Sequence, residues 1–206
     1  MVEGLVLKRS LSQTMIDEKA FQSLENNSQH FIKLLGGPRK EGNGFTFPAK
    51  DLLFASFHIR YEVERKFLGK IYVMVLEGKF PQKGPVLPSE KMELRYSGFF
   101  KKGKPFFVSL KKAESKWDRV LKLLNEDPRL IDACWKLEVE FLKVSFDFGE
   151  RVWKVWVRPY GGSFIKILLP PLQYNVALSK EQSERILFVM KRISELISQE
   201  MATDGK

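Results

Sequence analysis

The sequence predicts an α+β fold of two pseudo-repeated halves, each an antiparallel meander of three to four strands packed with helices. Three observations predict it. Stretches such as Leu53 to Val63 alternate apolar and polar residues with period two, the pattern of a half-buried strand. Others, such as Met15 to Leu35 and Lys111 to Leu124, keep their apolar residues on one helical stripe. The order also recurs: helix, three strands, proline break, strand and hairpin are followed by helix, three strands, proline break, helix. The halves divide at residues 1–110 and 111–206.

Met1 to Thr14 is weakly patterned, with room for a short strand. From Met15, the residues Ile16, Ala20, Leu24, Phe31 and Leu35 form the stripe of a first helix, and Gly36-Gly37-Pro38 ends it. Asn26-Asn27-Ser28 interrupts that stripe. After a turn-rich link come Phe45-Thr46-Phe47 and then the clearest alternation in the chain. Leu53, Ala55, Phe57, Ile59, Tyr61 and Val63 point one way; Ser56, His58, Arg60, Glu62 and Glu64 point the other. Phe67 to Leu76 is apolar on both faces and reads as a central strand. Phe80-Pro81-Gln82-Lys83-Gly84-Pro85 breaks the sheet, and Lys91 to Tyr96 alternates again with Met92, Leu94 and Tyr96 inward.

Phe99-Phe100-Lys101-Lys102-Gly103-Lys104-Pro105-Phe106-Phe107 sets two aromatic pairs around a lysine-rich turn. Adjacent phenylalanines on a strand face opposite ways, so one of each pair needs cover. Lys111 to Leu124 follows as a helix burying Trp117, Val120, Leu121 and Leu124. Asp127-Pro128 then restarts a short helix, with aspartate as cap and proline at the first position. Trp135, Leu137, Val139 and Phe141 alternate, after which the apolar set becomes Leu142, Val144, Phe146 and Phe148. That change of phase predicts a β-bulge.

In Glu150 to Asn175 two β-rich runs flank Pro159-Tyr160-Gly161-Gly162. This predicts an antiparallel hairpin turning at the glycines and stopping at Pro170-Pro171. The last helix starts at Ser179, with Gln182 completing a capping box. It buries Ile186, Val189, Met190, Ile193, Leu196 and Ile197, and Met201 to Lys206 is a frayed tail.

The chain has 206 residues, 44% of them hydrophobic and 13% aromatic, which is a globular composition. Its net charge of +10 is spread out, with +2 in each of residues 1–50, 51–100 and 101–150 and +4 in 151–206. One local cluster, Lys101 to Lys122, stands above this background. No run approaches the roughly 20 apolar residues of a membrane span, so no membrane partner is expected. Met1 to Leu11 reverses the order of a signal peptide, and the lone Cys134 excludes an intrachain disulfide. A cytoplasmic protein is the expectation.

Three motifs carry a resemblance. Phe80-Pro81-Gln82-Lys83-Gly84-Pro85 is similar to the Tyr-Pro-x-x-x-Pro loop of RWD domains and the related ubiquitin-conjugating fold. Trp153-Lys154-Val155 with Pro159, Tyr160, Gly161 and Gly162 looks like their second-to-third strand hairpin. Pro170-Pro171-Leu172-Gln173-Tyr174 stands where a second proline loop belongs. Conjugating enzymes need a thiol downstream of the proline loop, and neither Lys91 to Leu110 nor Asn175 to Lys206 contains a cysteine. The resemblance therefore implies a non-catalytic member, and such members serve as protein-interaction modules.

A rival resemblance begins at Glu62-Val63-Glu64-Arg65-Lys66, which looks like the Glu-x-Glu-x-Lys strand of CYTH triphosphate-tunnel enzymes. There, carboxylates inside a barrel hold divalent metal and basic residues grip triphosphate. About sixty residues precede the motif here, and Lys166-Ile167-Leu168 replaces the late acidic strand. His58 shares a face with Glu62 and Glu64, but two histidines in the chain argue against a structural metal site. Asp147-Phe148-Gly149 spells the kinase magnesium motif without its companion loops and reads as a hairpin turn.

The expected function is a non-enzymatic interaction scaffold with another protein as partner, no cofactor, no metal and no catalytic residue. The expected contact surface is Phe99, Phe100, Lys101, Lys102, Lys104, Phe106 and Phe107. Binding of nucleic acid or another polyanion through residues 101–122 is the second expectation, and a tunnel-type phosphohydrolase the third.

Overall fold

The computed structural model describes residues 17–48, 54–82, 90–98, 103–110 and 115–203. Helix α1 (Glu18–Leu35) begins at Asp17, whose carboxylate accepts the Lys19 amide at 3.1 Å, and ends where Gly36 takes φ of 89°. Strands β1 (Arg39–Glu41), β2 (Gly44–Pro48), β3 (Ser56–Lys66) and β4 (Gly69–Pro81) follow as a meander. Strands β5 (Lys91–Tyr96) and β6 (Pro105–Ser109) form a hairpin. Helices α2 (Ser115–Glu126) and α3 (Pro128–Trp135) lead to a second hairpin, β7 (Val139–Asp147) with β8 (Val152–Pro159). Short strands β9 (Phe164–Ile167) and β10 (Leu172–Asn175) precede the last helix, α4 (Lys180–Thr203).

Every described pairing is antiparallel, and the strands form one sheet in the order β1-β2-β3-β4-β8-β7-β5-β6, with β9 on β4 and β10 on β9. Strands from both sides of residue 110 are interleaved: β4 pairs β8, and β5 pairs β7. The protein is therefore a mixed α+β molecule with a large antiparallel sheet.

The helices share one face of that sheet. Phe31 of α1 meets Phe57 at 6.0 Å between ring centres, and Trp117 of α2 meets Trp153 edge-on at 5.3 Å. Met190 of α4 reaches Gly78, where a Cβ would lie 2.8 Å from the Phe54 ring, so the glycine makes room for both side chains. Leu130 and Cys134 of α3 join the same buried cluster. The expected alternation holds in the first half of β3, where Phe57, Ile59 and Tyr61 are buried, but Ala55 before it and Val63 beyond it are exposed, and Leu53 lies outside the described residues. The six apolar residues predicted for the last helix are buried as well. The predicted bulge is present, as a register shift in β7 between Val139 and Phe141.

Several expectations are corrected. Phe67 and Leu68 do not begin the central strand; they form the turn before β4. Phe80 and Pro81 do not break the sheet, because both still pair with β8. Trp135 ends a helix instead of opening a strand. Met201 is buried in α4, so the predicted tail is helical to Thr203.

The largest correction concerns Glu150 to Asn175. The runs on either side of Gly161-Gly162 do not pair with each other. Both lie antiparallel along the same edge of β4, β8 against Leu76 to Pro81 and β9 against Gly69 to Tyr72. Residues 160–163 form a kink between two segments running in one direction. The double proline sits in the turn between β9 and β10, so a strand follows it at once. The short strand expected within Met1 to Thr14 lies outside the described residues.

Candidate functional site

At one end of the sheet the β5–β6 hairpin faces the corner between α2 and α3. The corner is fixed by sequence. Asp127 caps α3, its Oδ1 accepting the Leu130 amide at 2.7 Å, and Pro128 opens the helix. Asp127 Oδ2 also accepts Arg192 Nη2 of α4 at 2.5 Å, and Arg192 reaches Glu195 at 3.2 Å. The guanidinium beside it holds the Asp127 carboxyl below the usual carboxylate range.

Asn125, in the last turn of α2, lies against the edge strand β6. It accepts the Phe107 amide at 2.7 Å and donates to the Phe107 carbonyl at 3.0 Å. One side-chain amide thus satisfies backbone groups that an exposed edge offers to another chain. The Tyr96 hydroxyl donates to the Cys134 carbonyl at 2.9 Å and ties the end of α3 to β5.

Between these fixed walls lies a groove of about 540 Å³, lined by Lys104, Pro105, Asn125, Ile131 and Trp135, with Glu126 and Asp132 on its rim. Trp135 is 43% exposed. Its predicted place in a strand hid this, because a tryptophan closing a helix and one opening a strand fit the same local pattern. Asn125 was missed for a similar reason: its partner is a backbone 18 residues away.

The predicted contact residues divide. Lys104 is exposed on the groove, Phe106 is exposed and Phe107 is buried, the alternation expected of adjacent phenylalanines. Phe99, Phe100, Lys101 and Lys102 lie outside the described residues. Phe80 is buried and stacks on Trp153, their planes 8° apart, while Pro81 is exposed and Pro85 lies outside the described residues. Pro159 is buried and Tyr160 exposed. Gly161 and Gly162 stand at the β8–β9 kink, where the Gly162 carbonyl accepts the Tyr61 hydroxyl at 2.8 Å. Ser23, Asn27 and Asn175 extend that contact into a polar network joining α1 to the end of β10. Asn27 also accepts the Leu178 amide at 3.0 Å, which explains the polar interruption of the first helix.

Glu62 and Glu64 lie on the sheet face away from the helices, in an open sheet whose outermost strands in the described order are β1 and β6. Glu62 pairs with Arg60 at 3.2 Å, and Glu64 with Lys66 at 2.9 Å and with Arg158. His58 has hydroxyls on both ring nitrogens, Thr46 and Ser56, each at 3.0 Å. Among the described residues these groups do not converge on a metal position.

Among the described residues the displaced acids all move one way. Hydrogen bonds from lysine or arginine lower the carboxyls of Asp17, Glu64, Asp127, Asp147 and Glu150. Burial works to raise Glu77, but Arg60 overcomes it and the net direction is also down. Burial raises the phenols of Tyr61, Tyr72 and Tyr96. Each displacement reinforces the state the group already holds at neutral pH, the opposite of a poised acid or base.

Residues 35–197 match the family described as "Protein of unknown function (DUF3156)". The chain belongs to this family. The match runs from the end of α1 into α4, so every described strand and the whole groove fall inside it. No curated protein and no solved structure matches the chain.

Proposed function

We propose that the chain is a non-catalytic interaction scaffold that docks a partner protein in the groove between the β5–β6 hairpin and the α2–α3 corner. The observation that carries this reading is Trp135, half-exposed over a groove whose walls are fixed by the Asp127, Asn125 and Tyr96 contacts. A tryptophan in a preformed depression is the commonest kind of binding anchor, because it buries a large area with little loss of side-chain freedom. Ile131, Pro105 and Pro128 supply apolar walls, and Lys104, Glu126 and Asp132 a charged rim.

The uniform direction of the displaced acids supports a scaffold over a catalyst. The order of α1 and the meander β1 to β4, ending on Phe80-Pro81, supports an RWD-like plan for the first half. A second such half over 111–206 rests on the sequence order alone. A cytoplasmic location belongs to the same reading, since the buried Cys134 needs no oxidising compartment.

The test is quantitative capture from the source organism's lysate by the tagged chain and by Trp135→Ala, with and without nuclease, at low and high salt. The expected result is a protein retained through nuclease and salt, and reduced at least about tenfold for Trp135→Ala. Changing Lys101, Lys102 and Lys104 together to glutamate weakens the same capture. Equal retention by Trp135→Ala and the unaltered chain overturns the reading. Material released by nuclease and steeply by salt identifies counterion-driven nucleic-acid binding through the basic 101–122 surface instead.

A further inference from the structure

At one end of the sheet two hairpin tips lie side by side. The β3–β4 tip is Phe67-Leu68, and the β9–β10 tip is residues 168–171. The Leu168 amide donates to the Leu68 carbonyl at 2.8 Å and locks them together. Both tips are apolar and bare: Phe67 is 99% exposed, Leu168 64% and Leu169 70%, with Leu68 and Leu172 exposed beside them. Turns normally carry glycine, asparagine, aspartate or serine, which lose nothing in water. A cluster of this size at one place marks a contact surface.

Directly beneath the tips runs a row of cations. Arg65 faces Lys70 across β3–β4, and Lys70 faces Lys166 across β4–β9, so three adjacent strands present like charges opposite one another. Such pairs oppose sheet formation. Lys166 is relieved by Asp17, but among the described residues neither Arg65 nor Lys70 forms an ion pair. Strand residues rise about 3.4 Å each, which sets the row a short step behind the apolar ends.

An apolar edge backed by a cationic row matches the layering of an anionic bilayer surface, acyl boundary first and phosphates behind it. A second copy fits poorly, because tip-to-tip contact brings two cation rows together. We propose that this end of the sheet docks on an anionic lipid bilayer. Phe67, Leu68, Leu168 and Leu169 enter the boundary between headgroups and acyl chains, and Arg65, Lys70 and Lys166 face the lipid phosphates. No described helix is long and apolar enough to cross a membrane, and docking of this kind requires none.

The test is co-sedimentation of the full chain with vesicles of phosphatidylcholine alone and of about two parts phosphatidylcholine to one part phosphatidylserine. The expected result is binding to the anionic vesicles, weakened by salt and much lower on phosphatidylcholine. Phe67→Ser with Leu169→Ser lowers it at least about tenfold. Arg65→Gln with Lys70→Gln lowers it about twenty-five-fold, near fivefold per charge, and flattens the salt dependence. All four positions are exposed, so neither variant melts below the unaltered chain, and the charge variant, relieved of the opposed Arg65 and Lys70, melts at or above it. Trp135→Ala, at the other site, binds vesicles unchanged, which separates this outcome from that of the groove. Absence of binding to anionic vesicles, or equal binding by the Phe67→Ser, Leu169→Ser variant, overturns the proposal. So does self-association in light scattering that the same variant abolishes, which assigns the tips to an interface between copies.

Discussion

Asp127 is one carboxylate serving three elements: it caps α3, follows directly on α2 and pairs with Arg192 of α4. Its cap was legible from Asp127-Pro128, because capping is local chemistry, whereas its partner 65 residues on was not. The hydrogen bond from Arg192 holds its pKa below the ordinary value. A lowered folded-state value means that the folded chain holds the charge more tightly than the unfolded one. The resulting stability is present above the unfolded value, about 3.9, and is lost as pH falls through the lower folded value. Asparagine keeps the cap but not the ion pair. Asp127→Asn should therefore cost about 1–2 kcal/mol at neutral pH, the range for a hydrogen bond to a charged group. The gap from the unaltered chain should narrow progressively below about pH 4, where the native carboxyl also protonates. Urea denaturation at neutral pH and at successive acid pH values measures both, and a gap independent of pH would show that the carboxylate charge does not carry the loss.

At the scale of elements, the misread stretch is instructive because its local signals were correct. Two β-rich runs with glycines between them fit a hairpin, and they fit equally a strand that bends and continues. The choice is made by β4, whose 13 residues offer one edge long enough for β8 and β9 in succession. That length was hidden, since Phe67-Leu68 looked like strand and Phe80-Pro81 like a break. The alternation of β3, the bulge of β7 and the apolar stripe of α4 were legible for the opposite reason: each is written in consecutive residues. Gly162 carries the bend. It has φ of 83°, and a Cβ there would stand 2.5 Å from Met74 Sδ. Gly162→Ala thus combines a left-handed backbone with a buried clash and should cost about 1–3 kcal/mol. The expected reading is a lower denaturant midpoint with an unchanged slope. A midpoint equal to that of the unaltered chain would show that the kink relaxes freely.

For the whole molecule, the repeated order of elements suggested two halves meeting at an interface, and strand order is where local patterns say least. Pairing between β4 and β8 joins residues more than 70 positions apart, and no local pattern encodes it. In the sheet, β8 and β7 lie between β4 and β5, so residues 1–110 supply strands on both sides of a gap that 111–206 fill. Removing the second stretch leaves β4 with an unpaired edge flanked by buried Val73, Val75 and Leu76, and leaves the β5–β6 hairpin without its neighbour. It also removes α2 and α4 from the core face, exposing Phe54 and Phe80. An unpaired apolar edge of that kind recruits other chains instead of folding alone. The full chain should accordingly unfold in one transition, with circular dichroism and tryptophan fluorescence giving coincident curves. Residues 1–110 expressed alone should aggregate or lack dispersed amide signals. A monomeric, cooperatively melting 1–110 fragment would instead mean that the first stretch is a domain in its own right and that the shared sheet is a docking arrangement between two folded units.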